Sequence, residues 1–380
     1  MPGDQTDTRE PATAPPLHVL HVADAETHAR CGPMLAEALR ALCAAGLRVS
    51  LVTDDAGLVF ELASSPAECF RVPHLAGWRA RRLDDLLTDQ LSPPQVVHLW
   101  GTAGLYAIAG WTRRTAVPLL IHAFGASQVE HLARRGLRPG EHVAVASDAL
   151  AAPLLRRIPQ AAGRCKTIPP AAPAPPPPAA GSETEHTLSV LCVTGLREGC
   201  GLDILIDAVA QLRRRQCDVQ VAVIGRGVLP GAVWRRIRTA AVHDCVSVIN
   251  EPGLWPKVLG EVDVCVVPGC QREFWAAPLA AMNLGKVVIA AREQLADWFI
   301  EDRTAWQFTP GSAVELAYLL TRAMEQPRQA AALGATAAAH VRTHYGLGGL
   351  VERLTALYGA LCGGKDVAVR AENTSGRRDV

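Results

Sequence analysis

Arg272 and Glu273 stand side by side in the most informative stretch of the chain, residues 262–291, VDVCVVPGCQREFWAAPLAAMNLGKVVIAA. The flanks define the setting of that pair. Residues 262–267 are nearly all apolar, the pattern of a parallel strand covered on both faces, and Pro268 and Gly269 stop it. A helix is predicted to start near Phe274 or Trp275. Ala276, Leu279, Ala280 and Asn283 fall at helical spacing, and Gly285 sits where a helix ends. A second apolar strand follows. In a strand–loop–helix unit the loop lies at the carboxyl end of a strand and the amino end of a helix. Free N–H groups and the positive end of the helix dipole meet there and attract anions. Two further loops of this half are predicted to lie at strand ends. One is 194–201, with Arg197; the other holds Arg226 between Gly225 and Gly227.

In the first half, His98 and Trp100 share one strand face, as do His122 and Phe124, because residues two apart point the same way. Both pairs sit near strand ends, where ligands gather. A hydrogen-bonded, half-buried ring is the preferred reading for His98. For His122 that reading and a ligand-facing role stand level.

The elements that position these residues alternate strand and helix throughout. Residues 17–22, LHVLHV, read as a strand, 34–42 as a helix ending at Gly46, and 48–53 as a second strand. This βαβ unit implies parallel α/β packing. The loop 23–33 carries His28, Arg30 and Gly32 but not G-x-G-x-x-G, which argues against a dinucleotide-binding dehydrogenase. The pattern divides the chain into a disordered tail (1–16), a first α/β domain (17–168), a proline-rich linker (169–187), a second α/β domain (188–345), a closing helix (346–362) and a second disordered tail (363–380). PPAAPAPPPPAA at 169–180 is best read as a stiff polyproline hinge.

Composition narrows the function classes. The 380 residues suffice for two domains, and a net charge of +1 offers no reason to expect a nucleic-acid partner. The eleven cysteines form no CxxC pair or zinc spacing, as expected of reduced thiols in a cytoplasmic protein. No apolar run approaches the ~20 residues of a membrane span. The basic groups at 79–82 and 134–138 could touch anionic lipid at the inner membrane face, with solvated surface the simpler reading. The arginine run 213–215 reads as a solvated helix end that offsets the dipole.

Taken together, VTGLREGCGLDILIDAV, VAVIGRG, VDVCVVPG, AAMNLGKVVIAA and the final YGLGGLVERLTALYGAL resemble, in order and spacing, the GT-B glycosyltransferases of the type-4, group 1 family. The resemblance covers roughly residues 17–361. It implies two Rossmann-like domains facing each other across a cleft, a nucleotide-sugar donor held against the second domain, retaining transfer, and no cofactor or metal requirement. In that family an arginine and a lysine grip the diphosphate, and two glutamates eight positions apart hold the sugar and ribose hydroxyls.

This chain departs at each of those positions. The arginine and lysine fall on Gly195 and Cys200, and the glutamates on Arg272 and Ala280. Glu273 is one residue out of register, Trp275 replaces a glycine beside the sugar, and Phe124 replaces a histidine. The resemblance then implies a rewired site. Arg197, Arg226 and Arg272 would hold the diphosphate, with Gly225, Gly227, Phe274 and Trp275 lining the donor. Glu273 would hold the sugar, and His122 would face a glycan, lipid or small-molecule acceptor. The rival expectation is a GT-B relic that binds a nucleotide or glycan, or supports a partner, without turnover. A weaker third is another reaction on the same fold, such as sugar epimerisation.

Overall fold

The computed structural model describes residues 15–73, 75, 85–88, 91–174, 187–228, 231–269, 273–292 and 295–363. Arg272, the basic run 79–82, residues 175–186 of the linker and nearly all of both tails lie outside the described residues.

Two all-parallel sheets organise the chain. The first contains β1 (His18–Ala23), β2 (Arg48–Thr53), β3 (Glu68–Arg71), β4 (Val96–Trp100), β5 (Leu119–Ala123), β6 (Glu141–Val145) and β7 (Cys165–Thr167), in the order β3-β2-β1-β4-β5-β6-β7. The second contains β8 (Leu188–Val193), β9 (Val219–Ile224), β10 (Val246–Ile249), β11 (Val264–Val267), β12 (Val287–Ala291) and β13 (Trp306–Phe308), in the order β10-β9-β8-β11-β12-β13. Every residue of β1, β4, β5, β11 and β12 is buried, which is why their sequences are runs of apolar residues rather than alternations. The edge strand β3 is only partly buried and lacks such a run, so the sequence pattern passed over it, as it did the three-residue edge strands β7 and β13.

In each sheet the chain order reverses once, between β1 and β4 and between β8 and β11. Strand-end loops part at such a switch point, and ligands bind in the crevice beyond the carboxyl ends. A further difference from the sequence reading matters here. The segment 23–33, expected to be a loop, contains the helix Ala25–Cys31. Asp24 caps it by accepting the Thr27 N–H at 3.0 Å.

The ends of the chain tie the halves together. The helix Pro327–His344 packs on Ala277–Asn283, and Leu347–Leu361 crosses back onto Pro33–Ala44 of the first domain. There the Tyr358 hydroxyl lies 2.6 Å from His98 Nδ1. One buried apolar cluster runs from the first sheet across the interface to Trp255, Phe274, Trp275 and Trp298 of the second domain. A separate cluster fills the far side of the second sheet.

Candidate functional site

The loops after β8 and β9 pack backbone on backbone. Thr194 N–H donates to the Ile224 carbonyl at 3.0 Å, and Leu196 N–H to the Arg226 carbonyl at 2.9 Å. A Cβ on Gly225 would stand 1.8 Å from the Thr194 oxygen, and one on Gly227 (φ +136°) 2.5 Å from the Leu196 oxygen. Both glycines are therefore required by the approach of the two loops, with or without a ligand. Arg226 holds that loop through its backbone, and its side chain is exposed.

Glu273 is the charged centre of the interface. Its Oε1 lies 3.4 Å from Arg197 Nη1 and its Oε2 3.7 Å from Arg30 Nη1. Arg197 comes from the loop after β8. Arg30 comes from the first domain, on the helix Ala25–Cys31, where it also lies 3.5 Å from Glu26. The Arg30 carbonyl accepts the Ala276 N–H at 3.0 Å, so the backbone as well as the side chain bridges the domains. The structure thus unites two residues expected at the site, Glu273 and Arg197, with a third that the sequence reading did not select. Asp24, a capping residue followed by seven residues and then Gly32-Pro33, was the available signal for Arg30. On the same helix, burial opposes a charge on His28, but Asp55 at 2.9 Å and Glu61 at 3.3 Å outweigh it and push the imidazole up to about 9.

Aromatic rings occupy the remaining space. Phe274 stacks on Phe124 of the first domain with ring centres 5.3 Å apart and meets Trp298 edge-on at 5.9 Å. Behind Phe124 the stack continues to His122 at 4.1 Å and from His122 to Trp100 at 5.3 Å. The expected acceptor-side role of His122 is corrected by this placement. The ring is fully buried, its Nε2 lies 3.1 Å from the Ile168 carbonyl, and burial lowers it to about 4. It is a neutral core histidine, walled from the interface by Phe124. His98 is likewise buried, with Tyr358 as its partner.

Trp275 is also buried and lines, with Phe124, Phe274, Pro278 and Trp298, a cavity of about 30 Å³. A second cavity, between Arg30, Gln128 and Phe274, holds about 10 Å³. Small-molecule sites typically measure about 300–1,000 Å³, so in this conformation the domains are closed on each other.

Two parallel Rossmann-like sheets with facing carboxyl ends and a final helix that returns to the first domain make this a GT-B fold, the architecture of a large class of glycosyltransferases. Residues 187–326 match the family described as Glycosyl transferases group 1. Among solved structures, a glycosyltransferase from Rickettsia africae is 14% identical over 92% of this chain and 99% of its own, with a TM-score of 0.69. Sucrose-phosphate synthase from Thermosynechococcus elongatus is 19% identical over 91% and 99%, with a TM-score of 0.70. HepE from Anabaena, in complex with UDP-glucose, is 15% identical over 90% and 100%, with a TM-score of 0.71. A search of curated proteins by sequence found no match.

Proposed function

We propose that the protein binds a nucleotide sugar between its two domains and transfers the sugar, with retention, to a glycan, lipid or small-molecule acceptor. The observation that carries this reading is the Arg30–Glu273–Arg197 cluster at the junction of the two carboxyl edges. Glycosyl transfer places negative charge on the departing diphosphate, and fixed cations beside it stabilise the transition state. Gly195 and Cys200 offer no cation at the family's own positions, and Arg30 and Arg197 supply two nearby. Their distances to Glu273, 3.7 and 3.4 Å, are longer than the ~2.7–2.9 Å of a tight charge-assisted hydrogen bond. A diphosphate can therefore replace the carboxylate, leaving Glu273 to accept from sugar hydroxyls. No metal or cofactor is part of the proposal. That HepE, a protein of the same fold, has been captured with UDP-glucose supports a nucleotide-sugar donor.

A second reading, nucleotide or glycan binding without turnover, is favoured by a different observation: buried Trp275 and Phe274 leave a cavity of only about 30 Å³ beside Glu273, and Ala280 brings no carboxylate to it. Thermal shift and calorimetry with UDP-, GDP- and ADP-sugars, followed by a donor-hydrolysis assay, separate the two. Binding with release of the nucleoside diphosphate supports transfer, and binding of an intact donor selects the second reading. If no donor shifts the melting temperature, transfer and nucleotide binding both fail, and glycan binding alone is left. Where a donor binds, Arg197→Ala and Arg30→Ala should each weaken it at least tenfold; unchanged affinity in both would remove the clamp.

A further inference from the structure

Pro327 breaks the helical run that starts at Ala313. A proline has no N–H to donate and disfavours helical backbone at the residue before it. Ala313–Glu325 therefore ends, and Pro327–His344 begins, across Gln326 (φ −125°). Glu325 and Pro327 at this break line one pocket with Leu188, Val264 and Val287, at the starts of β8, β11 and β12. Two turns further on, the second helix is pinned to the turn before β12. A Cβ on Gly334 would stand 1.9 Å from the Gly285 oxygen, so backbone meets backbone there. Between pin and break, Ala330 and Ala331 contribute little volume, and a pocket of about 460 Å³ remains. That is within the about 300–1,000 Å³ of small-molecule sites, whereas the cavities in the cleft hold about 30 and 10 Å³.

The pocket combines an apolar floor with a charged rim. Val264 and Val287 are buried, and Met324 packs against the same cluster. Lys286, Asp263 and Glu325 line the pocket as well. Lys286 is half-buried, and among the described residues no carboxylate pairs with its ammonium. Asp263 accepts the Ser189 N–H through Oδ2 at 2.9 Å. Among the described residues, no cation pairs with it or with Glu325. One cation and two anions thus share a pocket without satisfying each other, and polar groups so placed are met by water or by a ligand. The lining holds no aromatic ring on which a base would stack, and one cation is too few for a diphosphate. The chemistry is therefore not that of a nucleotide site.

We propose that this pocket binds an α-amino acid with an apolar side chain. The ligand's carboxylate accepts from Lys286, its ammonium donates to Asp263 and Glu325, and its side chain lies on the valine and alanine floor. The site gathers strand starts, whereas the cleft gathers strand ends, so the two lie on opposite edges of the second sheet. An amino acid bound there touches none of Arg30, Arg197 and Glu273.

The test is isothermal titration calorimetry of the full chain with L-phenylalanine and L-leucine, with dissociation constants of about 1 mM or below expected. N-acetyl-L-phenylalanine lacks the ammonium, and L-phenylalaninamide lacks the carboxylate. Each should bind at least about tenfold more weakly, as should glycine, which lacks the side chain. Lys286→Gln should weaken L-phenylalanine about tenfold or more. Ala330→Leu, which fills the floor and leaves the charges in place, is the second variant, should the first fail to fold. Arg197→Ala, in the cleft, should leave the affinity within about twofold. No binding of either amino acid, equal binding of the acetylated or amidated form, or unchanged affinity in the folded pocket variant overturns the proposal. So does an equal loss in Arg197→Ala, which would place the amino acid in the cleft. None of these readouts involves a nucleotide, so the result is independent of the donor site.

Discussion

The two sheet edges that face each other are built on opposite principles. On the second domain, the loops after β8 and β9 interlock through main-chain hydrogen bonds and through glycines that admit no side chain. On the first, the strand ends carry large rings, from His98 and Trp100 through His122 to Phe124, sealed in a core shared by both domains. The glycines of the second-domain edge are needed to fold its loops, with or without a ligand. That backbone packing does not depend on the charged side chains beside them. Shape and charge are therefore separable here, and different substitutions should probe each.

The largest effect belongs to the frame. Gly225→Ala drives a Cβ to within 1.8 Å of the Thr194 oxygen and should cost roughly 3 kcal/mol or abolish folding. At Gly195, where a cation is expected from the family pattern, an added Cβ meets only the movable ends of Arg197 and Glu273 at 3.3 Å. Gly195→Ala should cost less than about 1 kcal/mol. Urea denaturation of the two variants side by side would break the comparison if their losses were equal.

The pH response should divide the first domain against itself. Burial lowers His21 to about 3 and His122 to about 4, so below the ordinary histidine range the unfolded chain binds more protons. Each should remove stability as pH falls from about 6.5 toward those values, at about 1.4 kcal/mol per pH unit. His28 has the opposite sign, because its folded value is raised to about 9. Its contribution is complete below about 6.5 and lost as pH rises through 9. His28→Gln should cost on the order of 2 kcal/mol at pH 6 and almost nothing at pH 10; equal losses at both would remove the charged His28.

Next comes the tie between the final helix and the first domain. Tyr358→Phe leaves His98 Nδ1 buried without a partner and should cost about 1–3 kcal/mol in a thermal or urea transition. The smallest effect is expected at the charged cluster. Arg197→Ala breaks a 3.4 Å pair in which the arginine is 44% exposed, and surface pairs of this kind contribute about 0–1 kcal/mol. A donor titration that changes while the melting temperature does not would place the value of this cluster in binding and not in folding.

Much of the architecture could be read directly from the chain. Buried parallel strands announce themselves as apolar runs, and the glycines after β9 mark where two strand-end loops meet backbone on backbone. Residues 262–291 were read as strand, loop, helix and strand, and β11, Ala277–Asn283 and β12 lie there, with the helix beginning two residues after Trp275. Short edge strands escaped, because three or four residues are too few to show a periodicity. The helix Ala25–Cys31 escaped because seven residues before a Gly-Pro pair read equally well as loop.

Tertiary structure decided what the strand-end residues do. Alternation put His122 on the same strand face as Phe124, and either residue could have faced a ligand. Only the packing of Phe274 against Phe124 turns that face into core. Arg30 and Glu273 lie more than 200 positions apart, and only the approach of the two domains sets their charges within 4 Å. Periodicity and turn chemistry are local and so appear in the sequence, while burial and charge pairing depend on what arrives from the other domain.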